Sequence, residues 1–241
     1  MKYIIQTSNL DFQYSKNKKI LNNLSINVPK GSIYGFLGPN GAGKSTTMRL
    51  LTGIIPDDSN SIFLFEKPIE SQIPNIFEKV GALVESPALY LHLSGYDNVK
   101  YIALLRQVPL SKIDEVLELV DLTAYKRQKA KQYSLGMKQR LAIAMALLSE
   151  PELLFLDEPV NGLDPNGIVE IRKLLVKINK EKGVTIFVSS HLLSEIEKMC
   201  THIGIISKGT LKYEGTMEDL SRKFETCKIQ ITLDEAESWK E

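Results

Sequence analysis

The stretch GPNGAGKST, Gly38–Thr46, decides the fold. It satisfies the pattern G-x-x-x-x-G-K-[ST], follows the apolar run SIYGFL and precedes the helix-like run STTMRLLTGI. In such a loop Gly38, Gly41 and Gly43 let the backbone wrap a phosphate so that several N–H groups point inward, with Asn40 and Thr46 completing the loop. Lys44 neutralises β- and γ-phosphates, and the Ser45 hydroxyl suits Mg²⁺. The strand before it and the helix after it separate it from a plain glycine-rich turn. This stretch points to a nucleoside triphosphate.

A second stretch supplies the other half of such a site. In LLFLDEP, Leu153–Pro159, four apolar residues predict a buried strand. Asp157 at its carboxyl end would reach Mg²⁺ through water beside Ser45, and Glu158 could polarise a water aimed at the γ-phosphate. Acids at a strand end are commonly just solvated, so this reading depends on the pairing with the phosphate loop. His191 ends the next apolar run, TIFVSSH, the natural sheet neighbour of the first. Its ring is placed to donate to the γ-phosphate. His92 and His202 have no such placement and read as structural.

Outward from these motifs, Leu24, Ile26 and Val28 alternate, and turn residues break the first ~30 positions into short strands. SIFLFEKPI reads as a hairpin, and the segment from Val84 to Lys131 carries helix-period apolar residues such as Ile113, Val116, Leu117 and Val120. ELLFLD and GVTIFVSSH read as parallel strands buried on both faces, alternating with the helices IVEIRKLLVKINKEKG and LLSEIEKMC. The charged tail, 221–241, shows no clear pattern.

The 241 residues suffice for one large domain, and 43% hydrophobic with 24% charged residues is ordinary for a soluble globular chain. A net charge of +1 gives no bulk attraction to nucleic acid or anionic lipid, so the basic run KRQKAK, Lys126–Lys131, reads as a solvated face. Runs such as LAIAMALL are too short to span a membrane, and MKYIIQTSNLDF does not read as a signal peptide. Cys200 and Cys227, without metal-like spacing, read as reduced thiols of a cytoplasmic protein.

Taken in order, these pieces resemble the ATP-binding cassette (ABC) ATPases, the motor subunits of ABC transporters, from about Leu10 to Leu220. GPNGAGKS looks like the Walker A loop, LLFLDE the Walker B strand, NGLD (Asn161–Asp164) the D-loop and His191 the switch histidine. The resemblance implies an α/β P-loop NTPase core with a mostly parallel sheet, an N-terminal antiparallel β subdomain and an inserted helical subdomain at about 86–145. Residues 1–220 would form one ATP-binding domain. Tyr14 lies where this family places an aromatic on adenine, with Phe12 and Tyr34 as the neighbouring alternatives.

SLGM, Ser134–Met137, falls where the family carries LSGGQ. In that family two cassettes pack head to tail, and each signature helix presents its N-terminus to the γ-phosphate held by the other chain. Ser134 and Gly136 match the pattern, whereas Leu135 and Met137 depart from it. By the same resemblance Asp164 of the D-loop is expected to help bind the nucleotide. In VGALVESPALY, Glu85 occupies the position of the Q-loop glutamine. A carboxylate there is tolerable beside a triphosphate only with Mg²⁺ close by or when protonated. The expectation is that Glu85 ligates the metal and couples it to movement of the helical subdomain; the plain alternative is an exposed loop glutamate.

The two departures together are similar to one branch, the ATPases of bacitracin-resistance and lantibiotic-immunity exporters. That resemblance implies ATP and Mg²⁺ as cofactors, an ATP-dependent head-to-tail homodimer and separately encoded membrane permease subunits that handle a peptide cargo. It places the chain peripherally on the cytoplasmic face of the plasma membrane, without a nucleic-acid partner. The run Pro87–Tyr101, PALYLHLSGYDNVKY, is expected either to receive a permease helix or to pack the helical lobe. The alternative function is a soluble, non-transport ABC ATPase with a regulatory or assembly role.

Overall fold

The computed structural model describes residues 2–15, 18–57, 59–85 and 88–224. In chain order the strands and helices begin with β1 (Tyr3–Thr7), β2 (Leu10–Ser15), β3 (Lys18–Leu24), β4 (Asn27–Pro29), β5 (Ile33–Leu37) and α1 (Lys44–Leu51). There follow β6 (Ile62–Leu64), β7 (Lys67–Pro68), β8 (Val80–Leu83), α2 (Gly95–Leu105), α3 (Lys112–Leu119) and α4 (Leu135–Leu147). The last part comprises β9 (Leu153–Leu156), α5 (Pro165–Lys182), β10 (Thr185–Ser190), α6 (Leu193–Glu197), β11 (His202–Ser207), β12 (Thr210–Thr216) and α7 (Met217–Phe224).

The central sheet has the order β12-β11-β5-β10-β9-β8 and is parallel except for β12, which pairs antiparallel with β11. Its inner strands are buried on both faces because each face has its own cover. Ile33, Leu154, Leu156, Ile186 and Val188 join the core built with the helices, while the alternate residues Tyr34, Phe36, Leu153, Phe155 and Phe187 join the core shared with the N-terminal strands. Period-2 alternation between two apolar layers explains why these strands read as continuous apolar runs. On the second face Phe187 pairs in register with both Tyr34 and Phe155, with ring centroids 5.4 and 5.7 Å apart.

Over that face lie the antiparallel sheet β4-β1-β6-β7 and the hairpin β2-β3. SIFLFEKPI forms the expected hairpin, with Phe63 opposite Pro68. Between β8 and β9 the chain builds α2, α3 and α4, which pack on one another, and α4 also meets β8 and α5. The helix expected over LLSEIEKMC is short, Leu193–Glu197, because Thr201 bonds back to Ile33 as the chain enters β11. Ser221–Phe224 complete α7, whereas the rest of the expected tail, 225–241 with Cys227, lies outside the described residues, as do Ser86 and Pro87. No helix among the described residues is long and apolar enough to cross a membrane.

Candidate active site

Parallel register aligns four strand ends: Leu37 with Ser190, Val188 with Leu156, and Leu156 with Leu83. The chain leaves these strands at Gly38, His191, Asp157 and, one residue further on, Glu85. All four exits therefore lie along one edge, the carboxyl edge where α/β sheets hold ligands.

The loop after β5 is shaped for an anion. Gly43 begins α1 at φ 111, a conformation that an L side chain resists, and no side chain caps this helix start. The first turn carries no acidic residue, so its free N–H groups and dipole remain available to a phosphate. Gly38 is required by close approach, since an added Cβ would lie 2.4 Å from the Ile206 carbonyl oxygen. Lys44, only 5% exposed, donates to the carbonyls of Gly38 at 2.8 Å and Pro39 at 3.3 Å. Its Nζ also lies 3.2 Å from Glu158 Oε1.

Glu158 sits at a left-handed φ of 45, an unusual state for a side-chain-bearing residue that is held by its surroundings. Its N–H donates to Ser189 Oγ at 2.9 Å, and the same hydroxyl donates to Asp157 Oδ1. Glu158 Oε2 lies 2.8 Å from His191 Nδ1. Lys44, Asp157, Glu158 and His191 thus converge, with the fully buried Ser189 as the joint. Ser45, half-buried, follows Lys44 on α1. Among the described residues no group of three or more His, Cys, Asp or Glu forms a metal cage. Mg²⁺ suits such a donor set, because it takes one or two protein ligands and completes its shell with phosphates and water.

A second constellation surrounds Tyr14 at the end of β2. The ring is 58% exposed and meets Phe12 edge-on at 4.9 Å. Hydrogen bonding to Thr46, and then to Arg49, holds the Tyr14 hydroxyl below the ordinary tyrosine range. Tyr34 offers no stacking face, since it is fully buried and donates to Glu214 at 2.7 Å. Arg49 Nη1 donates to the Tyr14 oxygen at 3.3 Å, and its Nη2 pairs with Glu85 Oε1. Glu85 therefore has a counter-charge besides the metal or proton that the sequence alone suggested.

Ser134 and Gly136 stand apart from both constellations. Ser134 caps α4, its hydroxyl accepting from Met137 N at 3.2 Å, and no acid follows in the first turn. The front of Gly136 is open, for an added Cβ would meet only Ser134 Oγ at 4.0 Å. Leu135 is half-exposed and approaches Gly162, whose added Cβ would lie 3.4 Å from it. Asp164 does not join the Lys44 group: its carboxylate caps α5 by accepting from Gly167 N at 3.1 Å. Sequence reasoning missed Ser189 and Arg49. Both had a periodic signal, Ser189 two residues before His191 on a strand and Arg49 four after Ser45 on a helix.

Phosphate loop, strand-end acids and parallel sheet define a P-loop NTPase. The chain belongs to the ABC transporter family, whose sequence model matches residues 21–161. Over 224 residues it is 45% identical to the bacitracin transport ATP-binding protein BcrA of Enterococcus faecalis, covering 92% of this chain and 72% of that one. The lantibiotic transport ATP-binding protein SrtF of Streptococcus pyogenes is 44% identical over 225 residues, 92% of this chain and 96% of its own. Among solved structures, cbiO1 of Clostridium perfringens, part of the ABC transporter complex cbiONQ, superposes with a TM-score of 0.85 at 31% identity over 92% of each chain. The chain is an ABC ATPase: it binds ATP and couples its hydrolysis to transport.

Proposed function

We propose that this chain powers an exporter that removes antimicrobial peptides of the bacitracin or lantibiotic type, for resistance or self-protection. The observation that carries the reading is 44–45% identity to bacitracin and lantibiotic transport ATP-binding proteins over 92% of the chain. Residues 1–220 act as one ATP-binding domain, with the helical insertion at about 86–145 moving against it; no role is assigned to 221–241.

In this reading the loop from Gly38 to Thr46, including Asn40, Gly41 and Gly43, cradles the phosphates, and Tyr14 stacks on adenine. Ser45 and Asp157, with Glu85, would hold Mg²⁺, which would supply charge neutralisation on the phosphates. Lys44 exchanges Glu158 for the β- and γ-phosphates as ATP enters. That exchange frees a carboxylate oxygen of Glu158 to accept the proton of the attacking water, while His191 holds the other oxygen in place. A second copy, packed head to tail, brings Ser134 and Gly136 to the γ-phosphate and places its Asp164 at the seam. Closure excludes bulk water, and hydrolysis lets the halves part.

The chain works from the cytoplasmic face of the membrane on separately encoded permease subunits, which handle the peptide. Their docking face includes Tyr90, Leu91, Tyr101, Leu104 and Leu105, apolar side chains left 41–63% exposed. Co-expression with its membrane subunits in a sensitive host tests the assignment. The minimal inhibitory concentration of bacitracin or a lantibiotic is expected to rise and to return to baseline with Glu158→Gln. Unchanged sensitivity to both classes, with the complex assembled in the membrane, would overturn it.

A further inference from the structure

We propose that Arg49 is a positioning residue that holds Glu85 back from the metal and links that loop to the adenine-side tyrosine. The inference rests on the reading of Glu85 as a metal-side carboxylate and adds the group that decides when it gets there.

Arg49 lies on α1. Six of its eight residues are buried, and the remaining two are Ser45 and Arg49. Four residues apart, they lie on one stripe, with Arg49 about 6 Å further along the helix axis. The helix that offers a hydroxyl to Mg²⁺ thus carries a guanidinium one turn away on the same face.

Glu85 follows β8 at a left-handed φ of 78, and its side chain is 61% exposed. Its Oε1 takes the hydrogen bond from Arg49 Nη2, while Arg49 Nη1 reaches Tyr14 at 3.3 Å. One planar fork therefore touches the adenine side and the metal-side loop at once; a lysine would lose the double contact but could still keep one donor and the charge on Glu85. A half-exposed pair of this kind adds little to stability and is readily exchanged.

The exchange has a direction. Near a triphosphate an uncompensated Glu85 opposes nucleotide entry, and the guanidinium cancels that charge. With Mg²⁺ bound beside the phosphates the carboxylate would have a stronger partner, and ligation through Oε1, the oxygen that Arg49 holds, would require Glu85 to leave Arg49. Arg49 thereby sets the cost of bringing Glu85 to the metal, and so the gain in nucleotide affinity that Mg²⁺ produces.

The test is equilibrium binding of a fluorescent ATP analogue to the full chain in EDTA and in Mg²⁺, read as the ratio of the two affinities. It uses wild type, Arg49→Met, Arg49→Lys, Glu85→Gln and the double variant Arg49→Met/Glu85→Gln. Removing a cation raises the ratio somewhat in any background, and that shared charge effect cancels in the double-mutant cycle. Arg49→Met is expected to raise the ratio about three- to tenfold more with Glu85 present than with Gln in its place. Arg49→Lys, which keeps one donor and the charge, is expected to stay within about twofold of wild type. An equal effect of Arg49→Met in both backgrounds would show a charge acting at a distance and overturn the proposal. If Glu85→Gln alone leaves the ratio unchanged, the metal-side reading of Glu85 fails first, and the proposal with it.

Discussion

Lys44 Nζ lies 3.2 Å from Glu158 Oε1, while the other Glu158 oxygen lies 2.8 Å from His191 Nδ1. The lysine that should meet the phosphates is thus paired with the carboxylate that should activate water. A lysine only 5% exposed needs an anionic partner, and Glu158 supplies it at the carboxyl edge of the sheet. Lys44→Met is expected to abolish ATP binding. Glu158→Gln keeps an acceptor oxygen for Lys44 and can turn its amide NH2 towards His191 Nδ1, but it cannot take a proton. It should lower kcat by about 10²- to 10⁴-fold with ATP still bound. Size-exclusion chromatography with ATP should show it trapped as a dimer, and a Glu158→Gln chain that binds ATP yet stays monomeric would contradict the head-to-tail mechanism.

Ser189 is the joint of this group, fully buried between the Glu158 N–H and Asp157. Ser189→Ala leaves both without that partner. Urea unfolding is expected to show a loss of about 1–3 kcal/mol. The kcat should fall by more than KM rises, because the left-handed turn at Glu158 loses its anchor. An alanine variant with wild-type kcat would show that the turn holds itself.

Much of this architecture was legible in the chain. LLFLDEP and TIFVSSH announce strands covered on both faces, and their being adjacent parallel neighbours follows from the βαβ rhythm. The Ser134 cap was legible for the same reason, a small polar residue just before a helical run. For Arg49 the spacing from Ser45 gave its helix face, but its partner did not follow, because that depends on where β8 ends relative to α1, a non-local relation that no local pattern encodes. Asp164 has a role in its own chain that the resemblance did not indicate: its carboxylate caps α5 by accepting from Gly167 N.

Tyr14 offers a ring that is more than half exposed, with its hydroxyl oxygen accepting from Arg49 Nη1 at 3.3 Å. Stacking on a base is worth about 1–3 kcal/mol by alanine substitution. Tyr14→Ala is therefore expected to raise the KM for ATP about tenfold with little change in kcat. Tyr14→Phe keeps the ring and should retain most of the affinity. Equal losses in the two variants would assign the effect to the hydroxyl instead.

Burial lowers the pKa of His202, with the Glu214 carboxylate opposing the shift and Thr201 Oγ1 3.0 Å from its Nδ1. The unfolded chain then binds a proton more readily than the folded one. Stability from this group is complete above the unfolded histidine pKa and is lost as pH falls through the lower folded value. His202→Gln is expected to flatten the drop in Tm between about pH 7 and pH 5 relative to wild type. Parallel curves for the two proteins would remove His202 from the acid response.

Leu135 allows stability and function to be separated. It is the first helical residue of α4, half-exposed, on a helix start with no acidic side chain in its first turn. An aspartate there complements the helix dipole and should leave Tm unchanged or raise it, a gain of about 0.3–1 kcal/mol. In the closed dimer the same charge would face the triphosphate of the other chain and repel it. Leu135→Asp is therefore expected to bind ATP normally as an isolated chain while hydrolysis falls more than about tenfold, since repulsion of about 1.4 kcal/mol already gives that factor. If hydrolysis persists at the wild-type rate, this helix start does not approach the nucleotide of a second copy.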